Sequence, residues 1–552
     1  MESQGRVGRI KSLASRAIAY YRQYGAMDTL KKVYKKFNAR RLRKNAIYNR
    51  KVKFSILVPL YNTRECFLTE MLDSVFAQTY TNWELCLQDG SDEEHSYVGD
   101  ICIRYAHGDK RIKYKKLKKN MGISGNTNEC LKLATGNFIS LLDHDDLLTC
   151  DALYETKKAI LEKNALIVYS DEDKVNEDTT SFYEHHYKPD YAPDYLRSTN
   201  YICHFLTINK CIINKIGLFN HGFDGSQDFD LVLRATEQTD RIYHVPKILY
   251  HWRAHSGSTA ANFDTKSYAV EAGRKAVASH LERIKLKGEV VTLQPGVYRI
   301  VYNPAGEPLV SIILVNRDND NLEKCVHSIQ NKTTYNNYEI IKIDISGDGA
   351  NYSKILNNAV KQASGEVLLF LECNIEVITE NWIEELLMLL QRKDVGVVGG
   401  KVLSSDMFVR NAGVVIGLTD TVNISFYGKS AGEQGYACRL ISTQNYNAVT
   451  SDCLMINKAL FLDLGGFSEE MGLSLFDIDL CMRVRKKELL VVWTPFCELR
   501  YNEREIERIV DGRMLLDAQE REVFINRWQH CWAAGDPYYN INFSRDNANY
   551  EM

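Results

Sequence analysis

Residues 138–146 read FISLLDHDD: an apolar, strand-like run that ends abruptly in Asp143, His144, Asp145 and Asp146. Three carboxylates at the tip of a buried strand repel one another, and burying any of them unpaired is costly. The tip is therefore either a solvated turn or the seat of a cation. The flanking sequence shows what kind of sheet carries it. Upstream, residues 54–58 and 83–87 read as buried strands and 112–117 as a third. Between them Leu68, Met71, Leu72, Val75 and Phe76 mark one helix face, and residues 123–134 form another helix. Downstream, residues 151–163 are helical and 166–169 extended. Strands alternating with helices imply an α/β fold with a mostly parallel, doubly wound sheet. Ligands of such sheets bind beyond the carboxyl ends of the strands. Pro59-Leu60-Tyr61, Asp89-Gly90-Ser91 and the acidic tip all stand at such ends, so one crevice can hold them.

The pattern then repeats. Residues 309–315 resemble the strand at 54, Leu322, Cys325, Val326 and Ile329 form a helix face, and 338–343 and 366–371 are strands. A matched phrase closes each copy. Gly217-Leu218-Phe219 leads to Asp228-Phe229-Asp230-Leu231 and Arg234; Gly465-Gly466-Phe467 leads to Asp477-Ile478-Asp479-Leu480 and Arg483. Two related units, 51–300 and 307–510, emerge from this repeat. Residues 511–552 read as a helix and then an extended tail.

Composition bounds the rest. The chain has 552 residues, 45% hydrophobic and 25% charged, which suits a protein of two to four domains with sizeable cores. Fourteen cysteines, with no Cys-x-x-Cys pair, read as reduced and cytosolic. No apolar run approaches the roughly 20 residues of a membrane span. No signal-peptide core succeeds the basic start. The net charge of −2 hides an asymmetry: residues 1–53 carry sixteen Lys or Arg against Glu2 and Asp28. Residues 1–50 are expected to be a basic helical arm. Ile10, Leu13, Ala14, Ala17, Ile18 and Tyr21 give it an apolar stripe suited to an anionic membrane surface. Docking of that helix on the chain's own body or on a second subunit is the alternative. The expected location is cytoplasmic, peripheral on the inner face of the cell membrane. Nucleic acid is not an expected partner, because the body is acidic and no nucleic-acid module is present.

Each candidate group has a plain reading and a chemical one. Asp-x-Asp on a turn offers hard oxygens to Mg²⁺ or Mn²⁺, or else caps the next helix. Asp89, in DGSD, can accept a base or ribose hydrogen bond, or simply make a turn. Tyr61 can stack on a nucleobase. Asp228 or Asp230 can begin a helix, or act as a general base. His251, in YHWRAHSGST (250–259), can complete a metal shell or sit satisfied in the core.

In combination these stretches resemble family-2 glycosyltransferases of the GT-A fold. FSILVPLYN (54–62), DGSD (89–92), NMGISGNTN (120–128), LLDHDDLL (141–148), GSQDFDLVLR (225–234) and LYHWR (249–253) run in that family's order. YSDEDKV (169–175), YKPDYAPDYL (187–196) and the closing DPYYNINFS (536–544) are similar to bacterial enzymes with two such units that build O-antigen, rhamnan and related surface polysaccharides. The resemblance implies two tandem GT-A units. It implies an inverting, metal-dependent transfer from a nucleotide-diphosphate sugar to a glycan or lipid-linked glycan acceptor. UDP-hexose and dTDP-rhamnose are both expected donors. Carried over by position, Pro59, Tyr61 and Asp89 line the nucleotide, and Asp143 contacts ribose or metal. Asp145 and His251 ligate Mn²⁺ or Mg²⁺, and Asp228 is the base. Gln88 stands where the family often has Asp.

The second unit departs from this pattern. Its strand tip, LECNIE (371–376), lacks Asp-x-Asp, and ELRYNER (498–504) has no histidine, although Asp477 keeps the base position. Asp344 and Ser346 only partly resemble the nucleotide loop. The expectation is a degenerate copy serving acceptor binding, packing or assembly; two active transferase units are the rival. A glycoside hydrolase is a further alternative, but it needs two carboxyl groups roughly 5–9.5 Å apart across the scissile bond. A non-catalytic carbohydrate-binding scaffold is the last.

Overall fold

Strand β1 (Phe54–Leu60) is buried along its whole length, as an unbroken apolar run covered on both faces should be. The computed structural model describes residues 52–217, 219–255, 267–316, 319–344, 351–418, 421–472, 474–502 and 509–552. The basic arm, and with it the expected membrane contact, lies outside these residues, as does Ser346. β2 (Trp83–Asp89) and β3 (Ile112–Lys116) continue the sheet in parallel on one side of β1, and β4 (Phe138–Leu141) lies parallel on the other. β5 (Leu147–Leu148), β6 (Ile167–Asn176), β7 (Phe182–His186), β8 (Thr207–Asn209) and β9 (Ile242–Ala254) complete it. The order is β3-β2-β1-β4-β8-β6-β9-β5, with β7 beside β6. Register aligns Leu60 with Asp89 and Leu57 with Leu141, so the three chemistry-bearing strand ends share one edge.

The second sheet repeats the succession without the outermost strand. Val310–Asn316 lies between parallel Tyr338–Asp344 and Val367–Glu372. Cys453–Asn457, Val395–Leu403, Leu490–Tyr501 and Ile375–Val377 then come in the places of β8, β6, β9 and β5. The repeat extends to single hydrogen bonds. Ser55 Oγ donates to Glu84 (2.7 Å) and accepts from Gly136 N (2.8 Å); Ser311 Oγ donates to Glu339 (2.6 Å) and accepts from Gly365 N (2.9 Å). Both positions demand glycine: a Cβ would lie 2.6 Å from Lys53 O at Gly136, and 2.5 Å from Leu309 O at Gly365. Arg234 ties Asp230 to Ile216 O just as Arg483 ties Asp479 to Leu464 O. The matched phrases in the sequence thus encode a matched helix anchor.

The units are locked together. One apolar cluster runs from Leu57 and Ile139 through Tyr195 and Tyr298 to Val310 and Trp382. Across the boundary Asp194 is ion-paired with Arg392 and bonded to Asn445 (2.8 Å), all of it buried. Asp194 belongs to the YKPDYAPDYL stretch, which is therefore interface rather than catalytic sequence. In YSDEDKV, Asp171 likewise ties elements together, accepting from Asn540 of the tail (3.0 Å) and from Lys188 N (2.9 Å), whereas Glu172 meets His204 and Asp173 meets His251.

The last segment contains the expected helix, Ala518–Ala534, capped by Asp517. The tail beyond this helix is not extended. Residues 537–552 form consecutive turns that bury Tyr538, Tyr539, Phe543 and Tyr550. Asp536 sits beneath them, accepting from Ile416 N (3.0 Å) and Tyr538 N (2.9 Å). Burial raises its pKa to about 6, although those bonds oppose the rise. An unfolded Asp titrates near about 3.9, so the folded state holds this proton more tightly. Its stabilising contribution is complete below about pH 4 and is lost as pH climbs through 6, a change of about 3 kcal/mol. The stability difference between wild type and Asp536→Asn, measured by urea unfolding at each pH, should shift by that amount between pH 4 and 7. Wild type should gain on the acid side, and a flat difference would disprove it. All fourteen cysteines are free. Among the described residues no helix is long and apolar enough to cross a membrane.

Candidate active site

The acidic tip comes directly after β4, and its three carboxylates have three different fates. Asp146 is buried; it accepts from Tyr250 Oη (2.5 Å) and from Arg253 N (2.7 Å). Burial, then Asp145 and Asp143, hold its carboxyl well above the usual range. Asp143 is 51% exposed, yet burial by the protein behind it, reinforced by Asp145 and opposed by His204, raises its pKa as well. Asp145 is 18% exposed and receives His255 Nε2 at 2.9 Å. The tip is therefore an under-neutralised cluster rather than a fully solvated turn.

Arg253 holds this cluster in place. Its side chain is wholly buried and donates to Asp145 O (2.7 Å), Glu177 O (2.8 Å), Thr179 Oγ1 (2.9 Å) and Glu70 (2.6 Å). A planar, always-charged fork is suited to meeting so many acceptors at once.

A cleft of about 530 Å³ adjoins the tip. Pro59, Asp143 and Asp228 all line it, so the structure unites strand-end and helix-borne groups distant in sequence. Asp228 lies in the first turn of Gln227–Thr236, and Asn200 Nδ2 donates to its Oδ2 at 2.8 Å. Asp230, the alternative candidate, is buried and salt-bridged to Arg234. His204 also lines the cleft. Burial disfavours its charge, but Cys203 and Glu172, the latter 3.1 Å from Nδ1, raise its pKa well above the ordinary histidine value. The sequence reading missed Asn200, His204 and Trp252. Trp252 lies in the LYHWR stretch, but Asn200 and His204 carry no local signal; only the folded arrangement brings all three to the cleft that Asp228 lines.

Other expected residues stand apart from this cleft. His251 is bonded to Asp173 at 2.5 Å, in the β6–β9 register that sets the two opposite each other. It is His255, four residues on, that meets Asp145. Asp89 is buried with its oxygens occupied by Ser91 N (2.8 Å), Tyr114 (2.9 Å) and Lys116 (2.9 Å). Burial would raise its pKa, but these bonds bring it below the usual carboxylate value. Asp89 thus secures the loop after β2, while Tyr61 offers a 46% exposed ring at the end of β1.

Asp145 and His255 set one carboxylate beside one imidazole at the tip, two of the donor types a hard divalent cation takes. Among the described residues no group of three or more His, Cys, Asp or Glu is gathered closely enough to hold a metal ion. A cation bound by such a pair would draw its remaining ligands from phosphate oxygens and water.

Among the described residues the second unit offers no such pair at its tip. Glu372, Cys373 and Asn374 at its tip are buried. Asp477 is fully buried and accepts from Ser451 N at 2.7 Å, so the base position has become a backbone clamp. Asp344 is bonded to Asn316 at 2.5 Å.

A sheet of this order, with an acidic tip beyond its central strands, is the GT-A glycosyltransferase arrangement, and both halves of the chain have the sheet. Residues 55–218 match the family model described as "Glycosyl transferase family 2", and residues 311–499 match "Glycosyltransferase like family". The first unit thus carries a family-2 glycosyltransferase domain and the second a glycosyltransferase-like one, in tandem. It is 38% identical over 533 residues to "Uncharacterized protein y4gI" of Sinorhizobium fredii, covering 90% of this chain and 58% of that protein. It is 32% identical over 522 residues to "O-antigen biosynthesis protein RfbC" of Myxococcus xanthus, covering 89% of this chain and 40% of that protein. The chain thus spans about half the length of these curated relatives. The crystal structure of S. aureus TarS 1-349 in complex with UDP-GlcNAc aligns over 42% of this chain and 66% of that one, with TM-score 0.34 and 20% identity.

Proposed function

We propose that the first unit transfers a sugar from a nucleotide-diphosphate sugar to a growing surface-polysaccharide acceptor, with inversion at the anomeric carbon. The observation that carries this reading is the meeting of Asp143 and Asp228 in one cleft beside the acidic tip. Asp228 takes the proton from the acceptor hydroxyl as that oxygen attacks the sugar carbon. Asn200 holds the attacking side of the Asp228 carboxylate in place. Pro59 and the exposed Tyr61 ring receive the nucleotide, and Asp89 shapes the loop against it. Asp145 and His255 would hold Mn²⁺ or Mg²⁺, which when bound neutralises the diphosphate that departs, with Asp143 facing the donor from the same tip. The polysaccharide class is supported by the relative described as an O-antigen biosynthesis protein. UDP- and dTDP-sugars remain the donor classes, and a glycan or lipid-linked glycan the acceptor.

In this reading 1–50 is an arm that touches the inner face of the membrane, 51–300 the catalytic unit, 307–510 a non-catalytic copy and 511–552 the tail that ties them. The buried Asp477 and the absent acidic tip support a silent second unit. A screen of nucleotide sugars with Mn²⁺, with and without EDTA, tests the proposal. One donor should be turned over with metal, and EDTA or Asp145→Ala should abolish that turnover. Equal turnover in EDTA would remove the cation from the mechanism.

A further inference from the structure

We propose that the second unit builds the acceptor side of the first unit's cleft and there binds the terminal, uncharged sugar ring of the glycan to be extended. The inference rests on the transferase reading of the first unit. The cleft crosses the boundary between the units: beyond Asn200 and Asp228 it is lined by Gln294 and Gly296 of a hairpin turn and by Ala437 and Cys438 of the second unit.

That second-unit segment is held firmly against the first. Tyr195 Oη donates to Ala437 O at 2.6 Å. Gln294 Nε2 donates to Gln434 (3.1 Å) and approaches Cys438 Sγ (3.3 Å). Tyr436 Oη donates to His185 O and accepts from Tyr187 N, each at 2.7 Å. Arg439, wholly buried, lies over the Tyr195 ring at 4.8 Å. Within the clamp Ala437 (φ 48°, ψ 42°) and Cys438 (φ 61°, ψ 22°) are both left-handed. Two consecutive non-glycine residues in that region cost about 1–2 kcal/mol each. Such strain persists only where the surroundings over-determine it, and it clusters at ligand sites.

The chemistry of the wall selects the occupant. Ala437 and Cys438 bring no charge, so this end does not attract phosphate. Trp252 contributes a half-buried indole, and Gln227 and Gln294 contribute amides. Asn200 Oδ1 is buried without a hydrogen-bond partner while Nδ2 of the same amide holds Asp228. A sugar ring presents an apolar C–H face to an indole and a rim of hydroxyls to amides. A hydroxyl donating to Asn200 Oδ1 would stand beside the proposed base.

The test uses the full chain and methyl glycosides of glucose, galactose, mannose, N-acetylglucosamine and rhamnose as acceptor probes. With the donor found in the nucleotide-sugar screen, Cys438→Trp should raise the acceptor KM at least about tenfold and leave the donor KM within about twofold. Cys438→Trp should itself keep the wild-type melting temperature, separating a blocked wall from a misfolded one. In wild type, the glycosides that accept sugar should shield Cys438 from iodoacetamide, read on the Cys438 peptide by mass spectrometry. Unchanged acceptor KM in Cys438→Trp, with no shielding, overturns the proposal and leaves donor turnover, hence the first-unit reading, standing. If wild type turns over no donor, the first-unit reading falls instead. Shielding by any of the glycosides then still supports the wall, and its absence overturns it.

Discussion

Asp228→Asn will lower kcat by about 10²–10⁴-fold, the usual worth of a positioned general base. The substitution keeps the shape of the side chain and removes its capacity to take a proton. Asn200 donates to Oδ2, an interaction an amide oxygen can retain, so the helix start at Gln227 should not move. Donor KM and melting temperature should stay near wild type. Asp230→Asn offers the contrast. Asp230 is buried against Arg234, so its loss should lower stability rather than act on chemistry. A kcat for Asp228→Asn within about threefold of wild type would move the base elsewhere.

The second large effect is on folding. Arg253→Ala should destabilise the first unit by about 1–3 kcal/mol, the cost of leaving acceptors at a partly buried site without their donor. The four acceptors of the guanidinium come from the acidic tip, from the stretch after β6 and from the helix Glu65–Phe76. Without it the Asp145 and Glu177 carbonyls lose their donor, and the acidic tip loses its nearest fixed cation. Arg253→Lys should recover only a small part, because an ammonium cannot span the same acceptors. Urea unfolding followed by tryptophan fluorescence measures the loss. A change below about 1 kcal/mol would show that the tip is held by other means.

Much of this architecture was legible from periodicity. Strand runs at 54, 138, 310 and 367 need no tertiary information, because continuous burial leaves a continuous apolar sequence. The duplicated Asp-x-Asp-Leu-x-x-Arg phrase was legible too, and its physical content is the Asp230–Arg234 and Asp479–Arg483 anchors. The features that escaped depend on partners far away in sequence. HWRAH offers two histidines, and only the β6–β9 register assigns His251 to Asp173 and leaves His255 for Asp145. Asp89 looked like a free strand-end acid. Its neighbour on β3 is Lys116, in register with it, and that pairing consumes it. YSDEDKV and YKPDYAPDYL looked like parts of a catalytic unit and prove in part to be joints. Asp171 grips the tail and Asp194 grips Arg392, contacts spanning about 200 to 370 residues that no local pattern can announce. The tail looked extended because its aromatic residues alternate with polar ones, yet turns bring those rings together.

The central claim is that a divalent cation at the acidic tip of the first unit grips the donor's diphosphate, and that the second unit has no counterpart. Anomalous diffraction from crystals soaked with Mn²⁺ and UDP tests it most directly. One manganese peak should appear within ligand distance of Asp145 and His255, with the diphosphate against it, and none beside Glu372 to Asn374. A dry or water-filled tip in the first unit, or a second peak in the other sheet, would contradict the account.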